Sequence, residues 1–217
     1  MKSVILPAAV ALALVTSGCS SMYYSGMEKI GIHKRDILVD RVEDTRDSQE
    51  EAQEQFASAL EQFGSVVEIR DSNLKQAYEA LNDEYEASED AAEEVRDRID
   101  EVEDVAEDLF EEWEEELELY QNADYKRASR FQLDETRSRY KQMLASMHKA
   151  EKSMDPVLTT FRDNVLFLKH NLNAQAIGSL KGEFATLKSD ISVLIEQMNQ
   201  SINKSDEFIT EMRKQTS

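Results

Sequence analysis

The sequence predicts an all-α fold, an elongated antiparallel bundle or coiled coil of about four long helices, and three observations carry that reading. Its 217 residues include only six Gly and two Pro, so few breakers interrupt it. Apolar residues recur at spacings of four and three over most of its length, which is the seam of a coiled coil. Charged residues make up 32% and aromatics 7%, a balance that suits a narrow seam better than a thick globular core.

The N-terminus reads differently from the rest. Lys2 supplies a short positive region, Val4 to Val15 is an apolar run, and Thr16-Ser17-Gly18 are small. The pattern is a signal peptide over residues 1–18, too short to span a bilayer as a helix. Cys19, the sole cysteine, follows at once, ahead of Ser20 and Ser21. A single cysteine excludes an intramolecular disulfide framework and a Cys-rich zinc or redox site. This junction resembles the lipobox of bacterial lipoproteins, although Thr16 stands where Leu is commoner. The resemblance implies cleavage before Cys19, attachment of diacylglycerol to its thiol and acylation of the new amino group. In Gram-negative lipoproteins an Asp after the cysteine favours the inner membrane, so Ser20 is the expected sorting residue for the outer membrane. Several acyl chains, at roughly 0.8 kcal/mol per buried CH2, hold where one does not. Residues 19–33, with Tyr23 and Tyr24, read as a tether near the lipid.

The bundle itself is expected over residues 34–217, with helices at about 34–69, 72–121, 124–170 and 174–214. In the first, Leu38, Val42, Thr45, Gln49, Ala52, Phe56, Ala59, Phe63 and Val66 form the seam, with a polar early part. A turn is expected near residues 70–73, where Asp71, Ser72 and Asn73 break the spacing and offer N-caps. The second helix carries the seam Leu74, Tyr78, Leu81, Tyr85, Ser88, Ala92, Val95, Ile99, Val102, Ala106, Leu109 and Trp113. From Asp71 to Tyr120 there are 22 acidic residues against Lys75, Arg96 and Arg98. Like charges stacked one turn apart cost roughly 0.2–0.5 kcal/mol per pair, so this helix requires a partner.

The next segment is the expected partner. After a turn at Gln121-Asn122-Ala123-Asp124, with Asp124 as N-cap, Lys126, Arg127, Arg130, Arg137, Arg139, Lys141, Lys149 and Lys152 precede Met154. Charge would select the pairing and burial of Leu133, Tyr140, Met143, Leu144, Met147 and Met154 would stabilise it. The expectation is specific: Trp113 and Leu109 should meet the early part of residues 125–152. Asp155-Pro156 reads either as a cap with a first-turn proline or as a kink in one longer helix. Asn171, Asn173 and Gly178 offer a later turn, and the seam resumes through Leu180, Phe184, Leu187, Ile191, Leu194, Met198, Ser201, Ser205, Phe208 and Met212.

Function is less legible than fold. The net charge of -20 disfavours nucleic acid and anionic lipid as ligands. No phosphate-binding loop, His-Glu-x-x-His motif, Gly-x-Ser-x-Gly elbow or calcium loop occurs, so no catalytic, cofactor-binding or metal-ligating residue is nominated and the chain does not read as an enzyme. His33, His148 and His170 are scattered, and a straight acidic helix face does not wrap an ion. Residues 169–180, KHNLNAQAIGSL, are either a helix-to-helix connection or a docking loop at the end of a rod.

The blocks LNDEYEASEDAAEEVRDRIDEVEDVAEDLFEEWEEEL, YKQML…MHKAEKSMDPVL and LKHNLNAQAIGSL, in that order behind a lipobox, resemble an uncharacterised family of proteobacterial coiled-coil lipoproteins, a domain of unknown function. The resemblance implies a helical body and a secreted location, and brings no activity. The expected role is a lipid-anchored cell-envelope scaffold or spacer on the outer membrane, facing the periplasm, with envelope protein partners or self-association and no nucleic acid. The alternative is an acidic binding module for cations or basic protein partners.

Overall fold

The computed structural model describes residues 34–68 and 73–216. Its elements are four helices: α1 (Lys34–Glu68), α2 (Leu74–Leu119), α3 (Ala123–His170) and α4 (Ala174–Thr216). The expected signal peptide, Cys19, Ser20, the tether, His33 and most of the turn at residues 70–73 lie outside the described residues. Each helix runs against its successor, and α1 also packs on α4, so α1 and α3 sit at opposite corners of a square up-down-up-down bundle.

The seams close as their spacing requires. All nine positions of α1, from Leu38 to Val66, are fully buried, the polar Thr45 and Gln49 included. In α2 the seam from Leu81 to Trp113 is buried apart from a half-buried Tyr85, and it continues to Leu117. Rings fill one end of the core. Phe63 of α1 lies parallel to Phe184 of α4 and edge-on to Phe161 of α3, each at 6.0 Å, and Tyr85 of α2 meets Phe161 edge-on. All four helices thus contribute. Gly64 makes room there, since a Cβ at that position would meet the Phe184 ring at 3.2 Å. Nearer the other end Phe110, Tyr140 and Phe208 form a second set, from three helices.

Between the two ring sets the core turns polar. The Thr45 hydroxyl is within reach of the Arg41 and Arg98 carbonyls, Ser205 donates to the Ser201 carbonyl, and Ser88 to that of Glu84. Gln49 is different: neither its amide nitrogen nor its amide oxygen has a partner, and the Ser201 hydroxyl has none either. The Gln53 bond to the Ile195 carbonyl and the Arg46–Asp206 ion pair bracket these two residues at one level of the bundle. A polar side chain at a seam position costs stability and specifies register.

The connections correct or resolve several expectations. Asn122, and not Asp124, caps α3: its Oδ1 accepts from the backbone of Asp124 and Tyr125, at 2.9 and 3.2 Å. Helix α3 continues through Pro156, which lies on the exposed face where water can serve the carbonyl its missing N–H leaves open. The turn comes at residues 171–173 instead, where Asn173 Oδ1 accepts from Gln175 and Ala176 and so caps α4. Asn73 precedes α2 without a side-chain bond to its backbone; its amide donates to Gln76.

The helices are not flush. Lys34, the first residue of α1, reaches Glu112 at 2.9 Å, and the Arg35 guanidinium lies 3.9 Å over the Trp113 ring. Helix α2 runs on to Leu119, about 10 Å further at 1.5 Å per residue. On the opposite side Arg139 meets Glu211 at 2.6 Å. Helix α3 starts at Ala123, about 24 Å before Arg139, while α4 ends at Thr216, about 7 Å past Glu211. The α2–α3 hairpin therefore overhangs this end of the bundle. Its seam there narrows to Trp113, Leu117, Ser129 and Leu133.

Candidate interaction surfaces

The acidic helix finds cations on both sides. On α3, Lys126 and Arg130 reach Glu118 at 2.9 and 3.6 Å, Arg137 reaches Glu114 at 2.7 Å, and His148 lies between Glu103 and Glu151. On α1, Lys34 takes Glu112 and Arg41 takes Glu101. The Trp113 Nε1–H donates to Ser129 Oγ at 2.9 Å, which joins the acidic helix to the early part of the basic segment. Not every α3 cation turns to α2: Arg139 serves Glu211 of α4, and Arg127 serves Asp124 on its own helix.

These pairs shape the titration of the surface. Hydrogen bonding to Lys126, with its charge, holds the exposed Glu118 carboxyl below the usual range, and Lys214 and Arg139 do the same for Glu211. Partial burial disfavours the charged form of His148, yet hydrogen bonds to Glu151 and Glu103 outweigh it and raise its pKa. Burial pushes the Tyr140 phenol up, with Glu103 and Glu107 adding to it, and the Tyr85 phenol is pushed up to about 12 by burial and its bond to Glu89.

One face of α2 keeps its carboxylates in water. Glu93, Asp97, Asp100, Asp104, Glu107, Glu111 and Glu115 are exposed at spacings of four and three, opposite the seam. The stripe runs about 33 Å. Among the described residues no group of three or more His, Cys, Asp or Glu is arranged to hold a metal ion. A groove of about 840 Å³ between α3 and α4 is open and lined by Arg139, Asn203, Asp206, Glu207 and Glu211. It lacks the enclosed apolar walls of a small-molecule site.

Apolar exposure is confined largely to the ends. Among the described residues the exposed large hydrophobics are Leu119, Tyr120, Tyr125 and Phe131 on the overhang, Leu166, Phe167 and Leu172 at the far end, and Val193 between. No described helix is long and apolar enough to cross a membrane. The sequence-nominated residues Cys19 and Ser20 lie outside the described region; residues 169–180 close α3, form the short turn and open α4. Heptad spacing did not disclose the overhang, because a seam states which face is buried and not where a neighbour stops.

The family model described as "Protein of unknown function (DUF2959)" matches residues 23–212. No curated protein matches the chain.

Proposed function

The chain therefore belongs to the DUF2959 family, whose description carries no activity, and we propose that it is a lipid-anchored, non-catalytic protein of the cell envelope. In this reading Cys19 carries the acyl chains, Ser20 sends the protein to the outer membrane, and the bundle stands in the periplasm as a spacer or scaffold. The observation that carries it is the distribution of surface. Charged flanks keep a long four-helix rod in water, while among the described residues all its exposed large hydrophobics but Val193 lie toward the two ends, one of them the end at which Lys34 joins the lipobox-bearing segment. Such a rod separates two attachment points by about 70 Å, the length of α3.

Fractionation of cells expressing Cys19→Ala tests the anchor. The variant should leave the outer membrane and collect in the soluble periplasmic fraction, and unchanged membrane association would remove the basis of the reading. In-cell crosslinking from positions 169 to 180 tests the scaffold: discrete envelope proteins should be captured there and not from the mid-rod Val193.

A second reading has its own observation, the unbridged carboxylate stripe of α2. It would make the protein a binding module for basic partners. Glu93→Gln, Asp100→Asn and Glu107→Gln together should then abolish salt-sensitive capture of a basic peptide, whereas the spacer reading predicts that no such capture occurs.

A further inference from the structure

We infer that the overhanging tip of the α2–α3 hairpin is a bilayer-contact surface that seats the bundle on the membrane holding its anchor. The inference rests on the anchored reading above and adds a second point of attachment to it. On the overhang Leu119 is 76%, Tyr125 66% and Phe131 62% exposed, with Tyr120 beside Leu119 at the tip and Phe131 about 12 Å back from the start of α3. Water is a poor environment for four such side chains gathered in one place. Tyrosine with aliphatic and phenyl groups, flanked by long cations, is the composition that settles at a bilayer interface. Lys126, Arg127 and Arg130 supply those cations, and their aliphatic stems can lie along the apolar layer while their charges stay with Glu118 and Asp124.

Position identifies the bilayer as the occupant. The overhang projects beyond Lys34, the first described residue, and beyond the end of α4, so among the described residues it is the first to meet a surface placed at that end. Lys34 is fixed beside Glu112 at the same end. The length of chain between Cys19 and Lys34 limits their separation to about 50 Å at most. An anchor at Cys19 thus holds the bilayer within reach of the tip. The opposite end, with Leu166, Phe167 and Leu172, lies the length of the rod away and has no comparable pointer to its occupant.

Charge narrows the lipid class. Glu118 is bridged by Lys126 and Arg130, Asp124 by Arg127 and Glu114 by Arg137, so the tip's cations are already engaged. Glu115 and Glu116 remain beside it and would oppose an anionic surface. The contact is therefore apolar insertion into a zwitterionic phospholipid surface, and added salt should not release it.

The test uses the full lipidated chain in phosphatidylcholine vesicles. Lipidation occupies Cys19, so Leu119→Cys, Phe131→Cys and Leu172→Cys each present one free thiol for a nitroxide. At positions 119 and 131 relaxation by oxygen, which concentrates in lipid, should exceed that by an aqueous nickel chelate several-fold; at 172 the order should reverse. High salt should leave the pattern unchanged. Labels at 119 and 131 as open to nickel as that at 172 would overturn the inference. Shielding from both reagents would also overturn it, because a protein surface would then cover the tip. Failure of the anchored reading looks different: the Cys19 thiol would itself react with the label, and the chain would not float with the vesicles. All three positions are exposed, so helical content should match that of the parent protein.

Discussion

The two ends of the bundle solve the same problem differently. At the far end Phe63, Tyr85, Phe161 and Phe184 come from all four helices and interleave about Phe161 and Phe63. At the near end α4 stops early and the described part of α1 begins level with Glu112, so among the described residues α2 and α3 go on as a pair held by Trp113, Leu117, Leu133 and ion pairs to Glu118 and Glu114. Exposed ion pairs contribute about 0–1 kcal/mol each, whereas burying a ring contributes several times more. The far end should be the rigid part and the overhang the adaptable one. Between them the level of Gln49 and Ser201 gives up stability for register. An adaptable tip suits contact with a soft surface, and a closed far end suits a fixed docking platform.

The largest effect should come from breaking the four-helix ring cluster. Phe161→Ala should destabilise the bundle by about 3–5 kcal/mol in urea denaturation, while Phe131→Ala on the overhang should stay within about 0.5 kcal/mol. Equal losses would erase the contrast between the ends. Next comes the polar level. Gln49→Leu removes two buried, unpartnered amide atoms and should stabilise by about 1–3 kcal/mol. A loss of stability in the same denaturation experiment would mean that the amide contributes bonds of its own, and the level would no longer count as a weak point.

The smallest effect concerns His148, which joins α2 to α3 through Glu103. Its pKa is raised in the fold, so its contribution is complete below its unfolded value of about 6.5 and is lost as pH rises through the raised value. Because the pair is a third exposed, the change should be about 0.5 kcal/mol or less. Stability curves of the parent and His148→Gln, measured across that window, should converge at high pH. A difference that instead grew with pH would contradict the charge assignment.

How much of this could be read from residues alone follows from what a heptad encodes. Spacing states which face is buried, and it did so even for Thr45, Gln49, Ser88, Ser201 and Ser205, whose chemistry argues against burial. The charge contrast between α2 and α3 anticipated their pairing and the meeting of Trp113 with the early basic segment. It did not anticipate that Arg139 would turn to α4, because a cation beside a seam can serve either neighbour. Pro156 was ambiguous since its cost depends on whether its face looks outward, which only packing decides. Asp124 and Asn122 are both competent caps, and the backbone chose Asn122. Thr136 and Asn164 are buried off the expected seam positions, where α3 touches two neighbours at once and its apolar stripe must widen. The proposed roles of Cys19 and Ser20 depend on enzymes and lipid, so packing of the bundle would not encode them, and both lie outside the described residues.

The central claim is that the bundle holds its far end away from the bilayer that anchors its near end. A donor fluorophore on Leu172→Cys in the lipidated chain, with acceptor lipids in the vesicle, measures that height directly. The account predicts a separation of about 70 Å, the length of α3, and correspondingly weak energy transfer. Strong transfer, from a donor within about 20 Å of the surface, or roughly two helix diameters, would mean that the rod lies flat and is no spacer.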